Sequence, residues 1–222
     1  MEIVLPHVLA VMTLPDVAFF PQALLPLHIF EPRYRRMLKD VLSTHRLFAV
    51  AGLNVQASAA EFEPPHRIAT VGIVRACQKN DNGTSNLLLQ GLARVEVQEI
   101  VREEPYRSAR IRALASEPGA EAEENVRLRS SVARLLALKQ RLDGAAAEFT
   151  RFLKTVEDPE TFVDLAAFSL CDSPALKQRL LETLDVHERL VIFGQHLRLE
   201  IDSLKLRRKL QGNLPDDHIA NN

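Results

Sequence analysis

The sequence predicts an α+β protein in which a strand-rich N-terminal part is followed by a helical C-terminal part. Three observations carry that reading. Val95 and Val97 alternate with Arg94, Glu96 and Gln98, the two-residue period of a half-buried strand. Further on, Leu190, Phe193, Leu197, Ile201 and Leu204 recur at threes and fours, the period of a helix packed along one face. Between the two patterns stands Ser116-Glu117-Pro118-Gly119, a punctuating stretch that sets the boundary near residues 116 to 121. The expected layout is a β-rich unit over 1–117, a helical bundle over 118–212 and a frayed tail over 213–222.

Taken in order, the N-terminus comes first. Val8-Leu9-Ala10-Val11-Met12 is apolar, but Glu2 stands where an export signal needs positive charge, and Pro6 and Pro15 interrupt the run. No stretch approaches the ~20 apolar residues of a membrane span, so a soluble, cytoplasmic protein is expected. Leu25 to Phe30 reads as a strand leading into a helix. There Tyr34, Met37, Leu38, Val41 and Leu42 form one apolar face, with Pro32 in the first turn and Glu31 at the positive end of the dipole. Arg33, Arg35, Arg36 and Lys39 fall on the other sides and are expected to form a solvated flank.

Strands resume with the β-branched run Ile68 to Cys77, then the turn cluster Lys79-Asn80-Asp81-Asn82-Gly83, then Leu87-Leu88-Leu89 before Gly91. Ala109, Ile111 and Ala113 alternate with Arg110 and Arg112. Short strands joined by turns suggest a small antiparallel barrel or sandwich. In the helical part, Leu128, Val132, Leu135 and Leu142 mark a long helix ending at Asp143-Gly144, and Phe149, Phe152, Leu153 and Val156 a short one. Asp158-Pro159 and Ser173-Pro174 each read as a cap followed by proline at the first helical position. Asp185-Val186-His187-Glu188 opens the last helix as a capping box. That helix should run to about Leu210, before Gly212 and Pro215.

Composition excludes several functions. Lys+Arg of 28 against Asp+Glu of 29 provides no overall field for phosphates or anionic lipid. Cys77 and Cys171 are far apart and lack metal spacing, so both are expected to be reduced and structural. There is no phosphate-binding G-x-x-x-x-G-K-[ST], no G-x-G-x-x-G, no H-E-x-x-H, no C-x-x-C and no G-x-S-x-G. His28 beside Glu31 is the sharpest catalytic candidate, as a general base, but no nucleophile or oxyanion donor can be named beside it. Cys77 lies inside an apolar strand that disfavours a thiolate. No enzyme activity, cofactor or metal is expected.

Collinear pieces of the sequence resemble a known family. Leu14-Pro15-Asp16-Val17, Phe20-Pro21, Leu25-Pro26-Leu27 and Phe30-Glu31-Pro32-Arg33-Tyr34 resemble the start of the Lon protease N-terminal substrate-binding domain. Val71-Gly72-Ile73, Asp81-Asn82-Gly83 and Leu89-Gln90-Gly91-Leu92-Ala93-Arg94 resemble its next block. Leu181 to Leu190 and Glu200-Ile201-Asp202 resemble segments of its helical part. The resemblance spans roughly residues 8 to 210. It implies a PUA-like β pseudo-barrel with one helix, followed by a helical bundle ending in a long helix. In the full protease this domain precedes an ATPase module and a Ser-Lys peptidase. The present chain stops after the long helix, which implies a stand-alone recognition domain without either.

The function expected from this resemblance is non-catalytic binding of exposed apolar segments of unfolded or partner polypeptides. Phe19, Phe20, Phe62, Pro64, Pro65 and His66 place aromatics and prolines in connecting segments, where contact residues are often found. The competing reading folds the Phe clusters back onto the core. RNA binding by a PUA-like barrel is the alternative function. Neutral charge, no Trp and two Tyr weigh against it. An unrecognised small-molecule enzyme is the third.

Overall fold

A computed structural model of the chain describes residues 5–57, 63–144 and 148–211. It contains β1 (Val8–Leu14), β2 (Leu24–Ile29), α1 (Pro32–Leu42), β3 (Leu47–Gly52), β4 (Ile68–Lys79), β5 (Ser85–Arg102) and β6 (Ser108–Ala113). These are followed by α2 (Ala122–Asp143), α3 (Glu148–Thr155), α4 (Pro159–Leu170), α5 (Pro174–Glu182) and α6 (Val186–Gln211). The chain divides into two compact units. The first comprises the residues through Glu117 together with Asp164–Asp185, and the second Pro118–Val163 together with the residues from Val186 onward. Residues 164–185, expected within the helical bundle, therefore lie with the strands. Their helical period was legible, but not the surface on which they pack.

In the first unit the strands follow the order β2-β5-β4-β3-β1-β6, and β5 also pairs with β6, which closes the sheet into a pseudo-barrel. The eighteen residues of β5 make this closure. Its first half lies between β2 and β4, and its second half pairs with β6 through Val95↔Ala113 and Val97↔Ile111. Register shifts after Val97 and Ile100 let it bend. Alternate residues from five strands fill the interior, among them Leu9 and Val11, Ala49 and Ala51, Ala69 and Val71, Val95 and Val97, Ala109 and Ile111. The sheet is mixed rather than antiparallel, because β1 and β3 pair in parallel. Parallel neighbours need a crossover, and the β2–α1 segment supplies it.

The apolar face of α1 is buried through Tyr34, Met37, Leu38 and Val41, while Arg35, Arg36 and Lys39 are exposed. Arg33 departs from the solvated flank. Its guanidinium donates to Glu31 at 2.9 Å and to both oxygens of Glu63 at 2.8 and 3.0 Å. Glu63's hydrogen bonds raise the Arg33 pKa above its ordinary value. His28 hydrogen-bonds Asn86 Oδ1 through Nδ1 and stacks on Phe30, while Arg33 takes the Glu31 carboxylate. His28 and Glu31 are thus each engaged with another side chain and not with one another.

Gly91 shows why glycine stands in this block. A Cβ there would collide with the Phe20 carbonyl oxygen, and the Gly91 backbone bonds Gln22 N and Ala23 O at 2.9 Å each. Changing Gly91 to Ala pushes Phe20 off the strand. The expected loss is about 1–3 kcal/mol in urea unfolding, with wild-type stability the result that would refute this contact.

In the second unit, α6 buries Leu190, Phe193, Leu197 and Ile201, the seam expected from their spacing. On α2 the buried positions are Asn125, Val132 and Leu136, so Leu135, expected on that face, is only half-buried. Phe152, expected on the apolar side of α3, is 51% exposed, and Leu153 takes the buried position. Arg129 caps the end of α3, donating to Val156 O at 2.6 Å while lying over the Phe162 ring. Among the described residues no helix is long and apolar enough to cross a membrane.

Candidate functional site

The structure separates the six residues expected to contact a polypeptide. Phe19 and Phe20 are 1% and 0% exposed, so their rings lie in the core and not on the surface. Phe19 meets Phe168 edge-on at 6.2 Å, and its carbonyl accepts from Thr70. The Phe20 ring lies under the Arg94 guanidinium. The stretch resembles a loop in sequence because Pro21 follows it, yet it is drawn inward by the open strand surface at Gly91. Phe62 lies outside the described residues. Pro64, Pro65 and His66 are half-buried on the chain leading into β4, where Pro65 bridges Leu53 and His66 N bonds Gly52 O at 2.8 Å. Arg107 and Arg33 anchor the same segment at Glu63, through its carbonyl and its carboxylate respectively.

His66 lines a cavity of about 470 Å3 in the first unit. Three other pieces of chain complete it. The turn after β1 contributes Asp16, Val17 and Ala18, and the end of β3 with its continuation contributes Gly52 to Gln56. Helix α5 contributes Pro174, Ala175, Gln178, Arg179 and Glu182. Ala175, Gln178, Arg179 and Glu182 are spaced by three, four and seven, so one face of α5 forms the wall. Ser173 fixes where that face begins, its hydroxyl accepting from Leu176 N. Gly52 closes the floor, and a Cβ there would lie 2.9 Å from Val17 O and 3.3 Å from Gln178 Oε1.

The polar groups of this cavity form a short chain. Gln178 Nε2 donates to Ile68 O at 3.2 Å and to Glu182 Oε1 at 2.8 Å, and His66 Nδ1 lies 3.6 Å from the same Glu182 oxygen. Those two donations orient the Gln178 amide and leave its Oε1 buried with no hydrogen-bond partner. A buried acceptor without a donor costs about 1–3 kcal/mol and calls for an explanation. Val55 stands on the rim, an aliphatic side chain 82% exposed. Asp16 holds a positive φ of 55°, a sparsely populated conformation for a residue other than glycine.

The volume falls within the ~300–1,000 Å3 of ligand pockets, and apolar walls with a few polar groups are their usual make-up. A second cavity, about 710 Å3, lies beside Leu5, His7, Leu92 and Ile111. Its charged group, Arg112, already holds Glu96 at 2.7 Å, so the α5 cavity has the stronger claim to be a site. Among the described residues no group of His, Cys, Asp or Glu is placed to hold a metal ion. Sequence reasoning found His66 and missed the rest. The capped start of α5 was legible, but nothing in the order of residues brings α5 to the turn after β1.

Comparison with known proteins agrees with this architecture. The family model for the ATP-dependent protease La (LON) substrate-binding domain matches residues 8–198. A Lon protease of Dictyoglomus thermophilum is 29% identical over 220 residues, covering 96% of this chain and 27% of the relative. Lon protease 2 of Myxococcus xanthus is 28% identical over 214 residues, covering 93% of this chain and 25% of the relative. The chain thus spans about a quarter of the length of these relatives. The solved N-terminal domain of Mycobacterium avium complex Lon protease superposes with a TM-score of 0.65 at 17% identity, covering 89% of this chain and 98% of that one. A Lon N-terminal domain protein from Xanthomonas campestris gives 0.59 at 19% identity, covering 94% and 99%.

Proposed function

The chain belongs to the ATP-dependent protease La (LON) substrate-binding domain family, and on that premise we propose that it binds exposed apolar segments of unfolded or partner polypeptides and performs no chemistry of its own. The observation that carries the proposal is the family match across residues 8–198, which takes in every element from β1 through most of α6. The α5 cavity supports it with Val17, Leu53, Pro174 and an exposed Val55, surfaces that gain from covering an apolar side chain. No phosphate-binding loop or nucleophile–base pair was found in the sequence, so nothing suggests a reaction on the bound segment.

A single cavity of this size grips a short stretch, and the bound polypeptide loses conformational freedom. Micromolar dissociation, about −8 kcal/mol, is the expected strength. Fluorescence anisotropy with a labelled unfolded peptide and a labelled RNA oligomer tests the reading. A peptide of uncharged residues should bind, with affinity falling by no more than about threefold as salt rises from roughly 50 to 500 mM, because its contact is apolar. RNA held by phosphate contacts would lose orders of magnitude over the same range. Tight, salt-sensitive RNA binding with no peptide signal would show the alternative PUA-like function instead.

A further inference from the structure

We infer that the α5 cavity selects segments in which a lysine or arginine lies next to an apolar residue. This deepens the recognition reading above and rests on it. The cavity presents acceptors that nothing in it satisfies, and its carboxylates outnumber its full cations. Gln178 Oε1, on a side chain 7% exposed, has no partner. The Asp16 carboxylate has none among the described residues, and Glu182 uses only Oε1, toward Gln178 and His66. Against these acceptors stands one full cation, the exposed Arg179. A ligand that complements this lining brings N–H groups and positive charge, together with an aliphatic surface for Val55 and the first turn of α5. A polypeptide with a basic residue beside an apolar one has all three, since the methylene stem of Lys or Arg covers apolar wall while its head reaches a carboxylate.

The test uses the 222-residue chain and two labelled unfolded peptides with the same apolar core, one flanked by two lysines and the other by two glutamates. The lysine peptide should bind about tenfold more tightly, from two exposed pairs of up to about fivefold each. Asp16→Asn, which keeps a residue tolerant of positive φ, should cut that preference about threefold. Ala175→Trp, at an exposed position on the wall, should fill the cavity and weaken both peptides by about tenfold or more. If Ala175→Trp perturbs thermal unfolding, Asp16→Asn decides alone. Equal binding of the two peptides by the wild type overturns the inference, as does undiminished preference in Asp16→Asn, while polypeptide recognition stands. A wild-type chain that binds neither peptide overturns both.

Discussion

Removing either partner of the Arg94–Asp164 pair should cost about 3–5 kcal/mol in urea unfolding, the largest single effect expected in the first unit. Both side chains are 1% exposed, and the pairing is bidentate at 2.7 Å on each arm. Arg94 Nε also donates to Leu181 O at 3.1 Å, and its plane lies over Phe20. Arg94→Leu leaves a carboxylate in the interior, and Asp164→Leu leaves a guanidinium there. Neither charge can be rehydrated without opening the unit. The double substitution removes both charges and should lose clearly less than the two singles added together. It does not return to wild type, because Leu181 O is left without its donor. Additivity of the two singles would show that the pair does not act as a unit.

Leu197→Ala should destabilise by about 2–5 kcal/mol. Leu197 is fully buried on α6, between Phe193 and Ile201, which are equally hidden. The seam is tight, since a Cβ on Gly194 would lie 3.4 Å from Val132 Cγ2 on α2. Such a neighbourhood has little freedom to collapse into the space left by a shortened side chain. Leu199, two residues on and 72% exposed, provides the contrast, and Leu199→Ala should stay within about 0.5 kcal/mol. A loss below about 0.5 kcal/mol for Leu197→Ala would mean that α6 does not pack on this face.

The same residues show what the sequence could reveal. The seam Leu190, Phe193, Leu197 and Ile201 was readable because helix packing is local and periodic. The caps at Asp158 and Ser173 were readable because each bond spans three residues, Asp158 accepting from Thr161 N and Ser173 from Leu176 N. Arg94 was misread. Alternation assigns a charged residue to the solvent side of a strand, and only a carboxylate seventy positions later reverses that choice. Glu96 is buried for a similar reason, held by Arg67 at 2.6 Å and by Arg112 at 2.7 Å. The parallel pairing of β1 with β3 was hidden because both strands are equally apolar and only the crossover fixes their direction. Of the candidate site, His66 was visible as a polar residue in a proline-rich connection. Glu182, which it faces, and Gln178 lie on a helix more than a hundred residues away.

The return of residues 164–185 to the first unit also governs the order in which the chain can mature. During synthesis the six strands are complete by residue 113, yet Arg94 has no carboxylate to meet until residue 164 has been made. At ~5–20 residues per second, the ribosome adds the residues from 114 to 185 over several seconds. For most of that interval Arg94 lacks the carboxylate of Asp164 and Phe19 lacks the ring of Phe168. A product ending near residue 117 would lack both permanently, making it a natural client for the chaperones and proteases that handle incomplete domains.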